Sequence, residues 1–139
     1  MSIDQMIYIF VPIIVVVGLV LLIIIAKVQP KRRLNTIWYA ERWQTVQQQF
    51  MDGPSGQSLA VLNADKLLDT AMQQKGFPGK TMGERLKARP TAFSDINAVW
   101  RAHKLRNRIA HDHAQVGESE CRQALSDMQK ALRDLGAVL

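Results

Sequence analysis

Residues 5–26 read QMIYIFVPIIVVVGLVLLIIIA, with no charged side chain among them. Ile, Val, Leu and Phe make up nearly all of the stretch. At about 1.5 Å of rise per residue its 22 residues make a helix of about 33 Å, enough to cross a bilayer core of about 30 Å. A cleaved secretory leader is the rival reading. It calls for a basic start, a shorter apolar run and a small-residue cleavage site. Met1-Ser2-Ile3-Asp4 is not basic, the run is too long, and Ala26-Lys27-Val28-Gln29-Pro30 is a poor cleavage site. Residues 1–30 are therefore expected to be a membrane anchor, with Pro30 closing the helix. Lys27, Lys31, Arg32 and Arg33 crowd one flank, and Asp4 is the single charge on the other. Flanking Lys and Arg stay cytoplasmic. The expectation is a single-pass protein of the cell's inner membrane, N-terminus outside and C-terminal domain in the cytoplasm. The four cations would rest against anionic headgroups of the lipid bilayer.

The rest of the 139-residue chain, 31–139, is short enough for one compact domain of about 110 residues. Lys and Arg outnumber Asp and Glu by 18 to 12. The lone Cys121 has nothing to pair with, which suits a reducing compartment, and its spacing puts it on the apolar side of a helix.

Helical periodicity runs through the whole domain. Tyr39, Trp43, Val46 and Phe50 form one stripe, on a helix expected from about Leu34 to Met51. Asp52-Gly53-Pro54-Ser55-Gly56 has turn chemistry. Val61, Ala64, Leu68 and Ala71 line a second helix, from about Gln57 to Lys75. Gly76-Phe77-Pro78-Gly79 breaks the chain, and Thr81 with Glu84 forms a capping box for a short helix ending near Arg89, before Pro90. Ser94 is the expected N-cap of a long helix reaching His111 or Asp112. The last helix, from Gly117 or Glu118, has the cleanest stripe: Cys121, Ala124, Leu125, Met128, Ala131, Leu132 and Leu135. No stretch alternates like a strand. The fold class is all-α: a single transmembrane helix followed by a bundle of four to five helices.

The chemically informative stretch is Trp100 to Asp112, which contains Arg106-Asn107, three residues, and then His111. Asn107 and His111 are four apart and share a helix face, and the unpaired carbonyls of a last turn favour Arg and protonated His. A guanidinium can hold two phosphate oxygens, and a His can move the proton of a ribose 2′-hydroxyl. In this motif, over roughly Leu34 to Leu139, the chain resembles the HEPN superfamily, whose mark is an Arg, a polar residue and a His a turn and a half later. The resemblance implies a metal-independent endoribonuclease, a toxin or RNA-processing enzyme, with its site shared across a homodimer. It implies Arg106 and His111 as catalytic residues and Asn107 as an orienting one. No cofactor is called for, since RNA carries its own nucleophile. The alternative is a non-catalytic HEPN-like dimerisation module binding RNA or protein, or a small scaffold subunit of a membrane complex. RNA, an antitoxin or a membrane-complex partner are the partners these readings imply.

Between Lys80 and Arg108, eight Lys or Arg face only Glu84 and Asp95. Arg101, Lys104 and Arg108 are the residues expected to meet an RNA backbone. One of Asp65 and Asp69, four apart, is expected to position Arg106 or His111. His103 shares a face with Asn107 and reads as a partly buried or interface histidine, with a second active-site group as the alternative. Gly79-Lys80-Thr81 echoes the end of a P-loop, but Gln74 stands where that motif needs Gly and no strand precedes it. His103, His111 and His113 echo a metal cluster without its ligand spacing, so no metal site is assigned.

Overall fold

An aliphatic run with no polar face becomes one uninterrupted helix, α1 (Ile3–Lys27). The computed structural model describes residues 3–27, 32–112 and 115–139. Pro30 and Lys31 of the basic flank, and His113, lie outside the described residues. Among the described residues α1 is the one helix long and apolar enough to span a membrane, and its apolar side chains have no protein packed over them. Pro12 sits inside it. A missing N–H within a helix is tolerated where local adjustment re-satisfies the freed carbonyl.

The chain divides into two compact units, Met1–Lys31 and Arg32–Leu139. The second is all-helical among its described residues. Its α2 (Thr36–Phe50) starts at Asn35, whose Oδ1 accepts from the Trp38 amide at 3.1 Å. Leu34 is therefore not helical but sits just before the cap. It and Tyr39 are both buried, the positions of a hydrophobic staple.

The stretch Asp52–Gly56, expected as a turn, is instead the first turn of α3 (Gly53–Gln74). Pro54 is no obstacle, because the first amides of a helix have no intrahelical acceptor to lose. Gly53 takes φ +80 and turns the chain sharply at the α2–α3 join. Gly56 is buried so close to α2 that a Cβ there would stand 2.2 Å from the Gln49 carbonyl oxygen.

The capping box forms as expected on α4 (Met82–Ala88): the Glu84 amide donates to Thr81 Oγ1 at 3.2 Å. A 3-10 turn over Pro90–Ala92 follows. The helix α5 (Ile96–Asp112) is capped by Asp95, which accepts from the Ala98 amide at 2.9 Å. Ser94, expected in that role, uses both its amide and its hydroxyl to hold Asp134 Oδ2, each at 2.8 Å. That pair ties the start of α5 to the end of α6 (Glu118–Asp134).

α3 packs against α2, α5 and α6, and α5 packs against α6. Ala60, Ala64 and Ala71 are fully buried along α3 and allow close backbone approach. Tyr39, Leu68, Met72, Leu86, Met128 and Leu132 fill the space between the helices. Burying each large side chain contributes about 1.5–3 kcal/mol. The Tyr39 hydroxyl donates to Gln74 Oε1 at 2.9 Å, and burial pushes its pKa up to about 12.

The expected outcome is that Arg32–Leu139 folds without α1, giving strong helical circular dichroism and cooperative melting. A non-cooperative fragment that binds a hydrophobic dye would overturn this. Leu132→Ala is expected to cost about 2–5 kcal/mol. Because the folded state keeps the Tyr39 proton longer than the unfolded chain, stability is unchanged by this group below pH 10. It should fall as pH rises from 10 towards about 12. Tyr39→Phe should flatten that alkaline loss.

Candidate functional site

Asp65 and Asp69 lie one turn apart on α3, and the register that buries Ala64 and Leu68 turns both carboxylates inward, towards α5 and α4. Asp65 is buried, its side chain 6% exposed. A lone carboxylate is costly there, and the structure supplies it with partners from α5. His103 Nδ1 is 2.9 Å from Asp65 Oδ1. Arg106 Nε is 3.4 Å from Asp65 Oδ2, an ion pair whose alignment leaves that buried N–H without a hydrogen-bond acceptor. Arg106 Nη1 donates to Asn107 Oδ1 at 3.1 Å. The Trp100 ring meets the His103 imidazole edge-on at 6.0 Å between centroids.

Asp69 serves a different cation. Arg85 of α4 donates from Nε and Nη2 to its two oxygens, each at 2.8 Å, and from Nη1 to the Gly79 carbonyl at 2.7 Å. Arg85 is buried and makes all three of these hydrogen bonds, which anchor α4 on α3. Gly79 has φ +137, and a Cβ there would lie 2.8 Å from Glu84 Cβ. The Gly79-Lys80-Thr81 turn thus has a structural reason: it presents a carbonyl to Arg85 and starts α4.

These groups line an open cleft of about 800 Å³ between α3, α4 and α5. Its walls carry Asp65, Asp69, Lys66, Lys80, Arg85, His103, Arg106 and Asn107. Lys66 and Lys80 are exposed at its rim and have no acidic partner among the described residues. In the neutral tautomer that donates from Nδ1 to Asp65, His103 keeps a lone pair on Nε2. The arrangement can hold a phosphate on Arg106 and exchange a proton at the imidazole.

The expected residues separate in space. Arg106, Asn107, Asp65 and Asp69 do share this cleft. His111 does not: it is exposed in the last turn of α5, makes no hydrogen bond or ion pair among the described residues, and is not among the cleft's lining residues. Asp65 orients His103 and Arg106, and Asp69 orients neither Arg106 nor His111. Arg101, Lys104 and Arg108 line a second groove, between α5 and α6, of about 530 Å³. Two of them meet acids there: Arg108 donates to Glu120 at 2.7 Å and Arg101 lies 3.9 Å from Asp127. The Arg108 hydrogen bond and then the Gly117 amide hold the Glu120 carboxyl below the usual carboxylate range. Cys121 is buried, and burial pushes its thiol up, as expected of a core residue.

His103 is the residue that sequence reasoning undervalued. Its spacing from Asn107 was visible, but its partner Asp65 is 38 residues away. Among the described residues no three His, Cys, Asp or Glu side chains gather as a metal site would need. No family model, no curated protein and no solved structure matches the chain.

Breaking the Asp69–Arg85 fork from one side leaves a buried guanidinium without its carboxylate. Asp69→Asn is expected to cost about 3–5 kcal/mol, read by denaturant unfolding. Arg85→Met with Asp69→Leu should recover much of that loss. A double variant no more stable than Asp69→Asn would show that the fork does more than satisfy itself.

Proposed function

We propose that this chain is a membrane-tethered, metal-independent endoribonuclease of HEPN type, with its site in the α3–α4–α5 cleft. The observation that carries the reading is Asp65 joined to both His103 and Arg106 in an open cleft rimmed by Lys66 and Lys80. An acid-oriented imidazole beside a guanidinium matches what phosphodiester transfer within RNA requires. The ribose 2′-oxygen attacks the adjacent phosphorus, the new O2′–P bond forms, and the P–O5′ bond breaks. His103 Nε2 takes the 2′-hydroxyl proton, and a second acid returns one to the leaving 5′-oxygen. Arg106 meets the charge that builds on the phosphoryl oxygens. Asn107 holds the Arg106 guanidinium in place. The HEPN resemblance implies a site shared between two copies. The exposed His111 fits a second acid supplied to the partner's cleft. In this reading α1 anchors the protein with the helical domain in the cytoplasm, since Arg32 and Arg33 follow the apolar run.

A second reading has its own support. Arg106 Nε is buried, and His111 is away from the cleft. A non-catalytic module that binds RNA or docks a partner protein, an antitoxin or a membrane-complex subunit among them, needs neither group to react.

The parent chain is expected to cleave RNA in the presence of EDTA, to spare DNA and to leave 2′,3′-cyclic phosphate ends. His103→Ala and Arg106→Ala should each slow cleavage by a factor of about 10² to 10⁴. Arg106→Lys should not fully rescue, because Lys lacks the bidentate fork. His111→Ala should slow cleavage too, and mixing it with Arg106→Ala should restore part of the activity in heterodimers. Parental rates in all three alanine variants sink the catalytic assignment. A parent that binds RNA in a salt-sensitive way without cleaving it installs the binding module instead. For orientation, alkaline phosphatase fused after Leu139 should stay silent, and an active fusion reverses the topology.

A further inference from the structure

The cationic side chains that sequence spacing nominated for RNA lie in the α5–α6 groove beside Glu120 and Asp127. A different groove has the opposite character. It runs between α2 and α3, holds about 310 Å³, and is lined by Trp38, Arg42, Gln49, Asn63, Lys66 and Thr70 among others. None of its lining residues is acidic. Arg42 and Lys66 are exposed, and neither has an acidic partner among the described residues. The Arg42 guanidinium lies over the half-buried Trp38 ring, 5.2 Å from its centroid. Tyr39 meets the same indole edge-on at 4.8 Å, which holds the ring still. Asn63, whose amide donates to Gln49 Oε1 at 2.9 Å, and Lys66 line both this groove and the Arg106 cleft. The two depressions are therefore neighbours along one outer edge of α3, with Lys66 common to both.

We propose that the α2–α3 groove is a nucleotide subsite on a single-stranded RNA path that continues into the Arg106 cleft. Trp38, layered with Arg42, gives a base a flat face to stack on, and Arg42 and Lys66 meet the flanking phosphates. The inference rests on reading the cleft as a phosphodiester site and names what reaches it. A paired helix keeps its bases stacked inside and offers no free face to an indole, so the path selects an unpaired strand. The volume is at the small end of ligand pockets, about 300–1,000 Å³, which suits one nucleotide rather than a duplex. A rim free of acids distinguishes it from the α5–α6 groove, where Arg108 and Arg101 already face carboxylates.

The test uses the full-length chain in uncharged detergent and a fluorescent, 2′-O-methylated single-stranded oligoribonucleotide. That probe binds but is not cleaved, so the readout is independent of activity. Anisotropy titrations at several salt concentrations give affinity and salt slope. Arg42→Gln and Lys66→Gln should each weaken binding several-fold and lower the log–log salt slope by about 0.7. Trp38→Ala should weaken it by about fivefold or more with little change in slope, and Trp38→Phe should retain most of the affinity. Arg101→Gln, in the other groove, should bind like the parent. Parental binding by the Arg42, Lys66 and Trp38 variants overturns the path, whatever Arg106→Ala does. Parental binding by Arg106→Ala alone, with the groove variants impaired, overturns the cleft reading and leaves the groove as an RNA site. A parent that binds no RNA overturns both. Equal competition by a duplex of the same sequence also overturns the path. So does a result in which the groove variants lose affinity for short-chain phosphatidylglycerol and not for RNA, which would make the occupant a lipid headgroup.

Discussion

A buried carboxylate has to be answered by something positive or hydrogen-bonding, and in this domain that demand falls on α3. The helix packs against α2, α5 and α6, and ten of its 22 residues are buried. It nevertheless carries Asp65 and Asp69 inward, one turn apart. Each carboxylate then recruits a different neighbour: Asp65 draws His103 and Arg106 from α5, and Asp69 draws Arg85 from α4. The rotation of α5 and the seat of α4 on the bundle are set by those pairings as well as by the apolar stripes. Replacing Asp69 would leave the buried Arg85 guanidinium without its carboxylate, and an unpaired buried charge costs far more than the pair contributes.

The two networks differ in how much they have left to give. Arg85 uses its fork on Asp69 and Nη1 on Gly79, and with its side chain buried its role is structural. Arg106 is less well matched. Its Nε is close to Asp65 yet misaligned, while its side chain is 36% exposed. Donor capacity directed at an open cleft is what separates a group able to take a ligand from one that only holds the fold. The same distinction separates the grooves: cations beside Glu120 and Asp127 are partly neutralised, whereas Arg42 and Lys66 are not.

The N-terminal helix obeys a simpler rule. Beyond its first turn its side chains are almost all apolar, and among the described residues none of that apolar window is buried. The helical domain has its own closed core, whereas α1 leaves its large apolar side chains exposed.

The sequence by itself determined what depends on local period and local chemistry. The length of α1, the stripes of α2, α3, α5 and α6, the capping box at Thr81 and Glu84, and the burial of Cys121 all follow from spacings within one helix. It misjudged the start of α3, because Gly53 and Pro54 serve equally well in a turn and in a first helical turn. It misjudged the cap of α5, because Ser94 and Asp95 are both good caps and Asp134, far along the chain, claimed the serine. The meeting of Arg106 and Asn107 was legible, being local. The tertiary structure alone decided that Asp65 joins His103 and Arg106, and that Arg101 and Arg108 face acids. Those pairings span from 12 to 41 residues. Such a contact is set by how helices rotate and stack to bury their stripes, and helical spacing within any one segment carries no record of it.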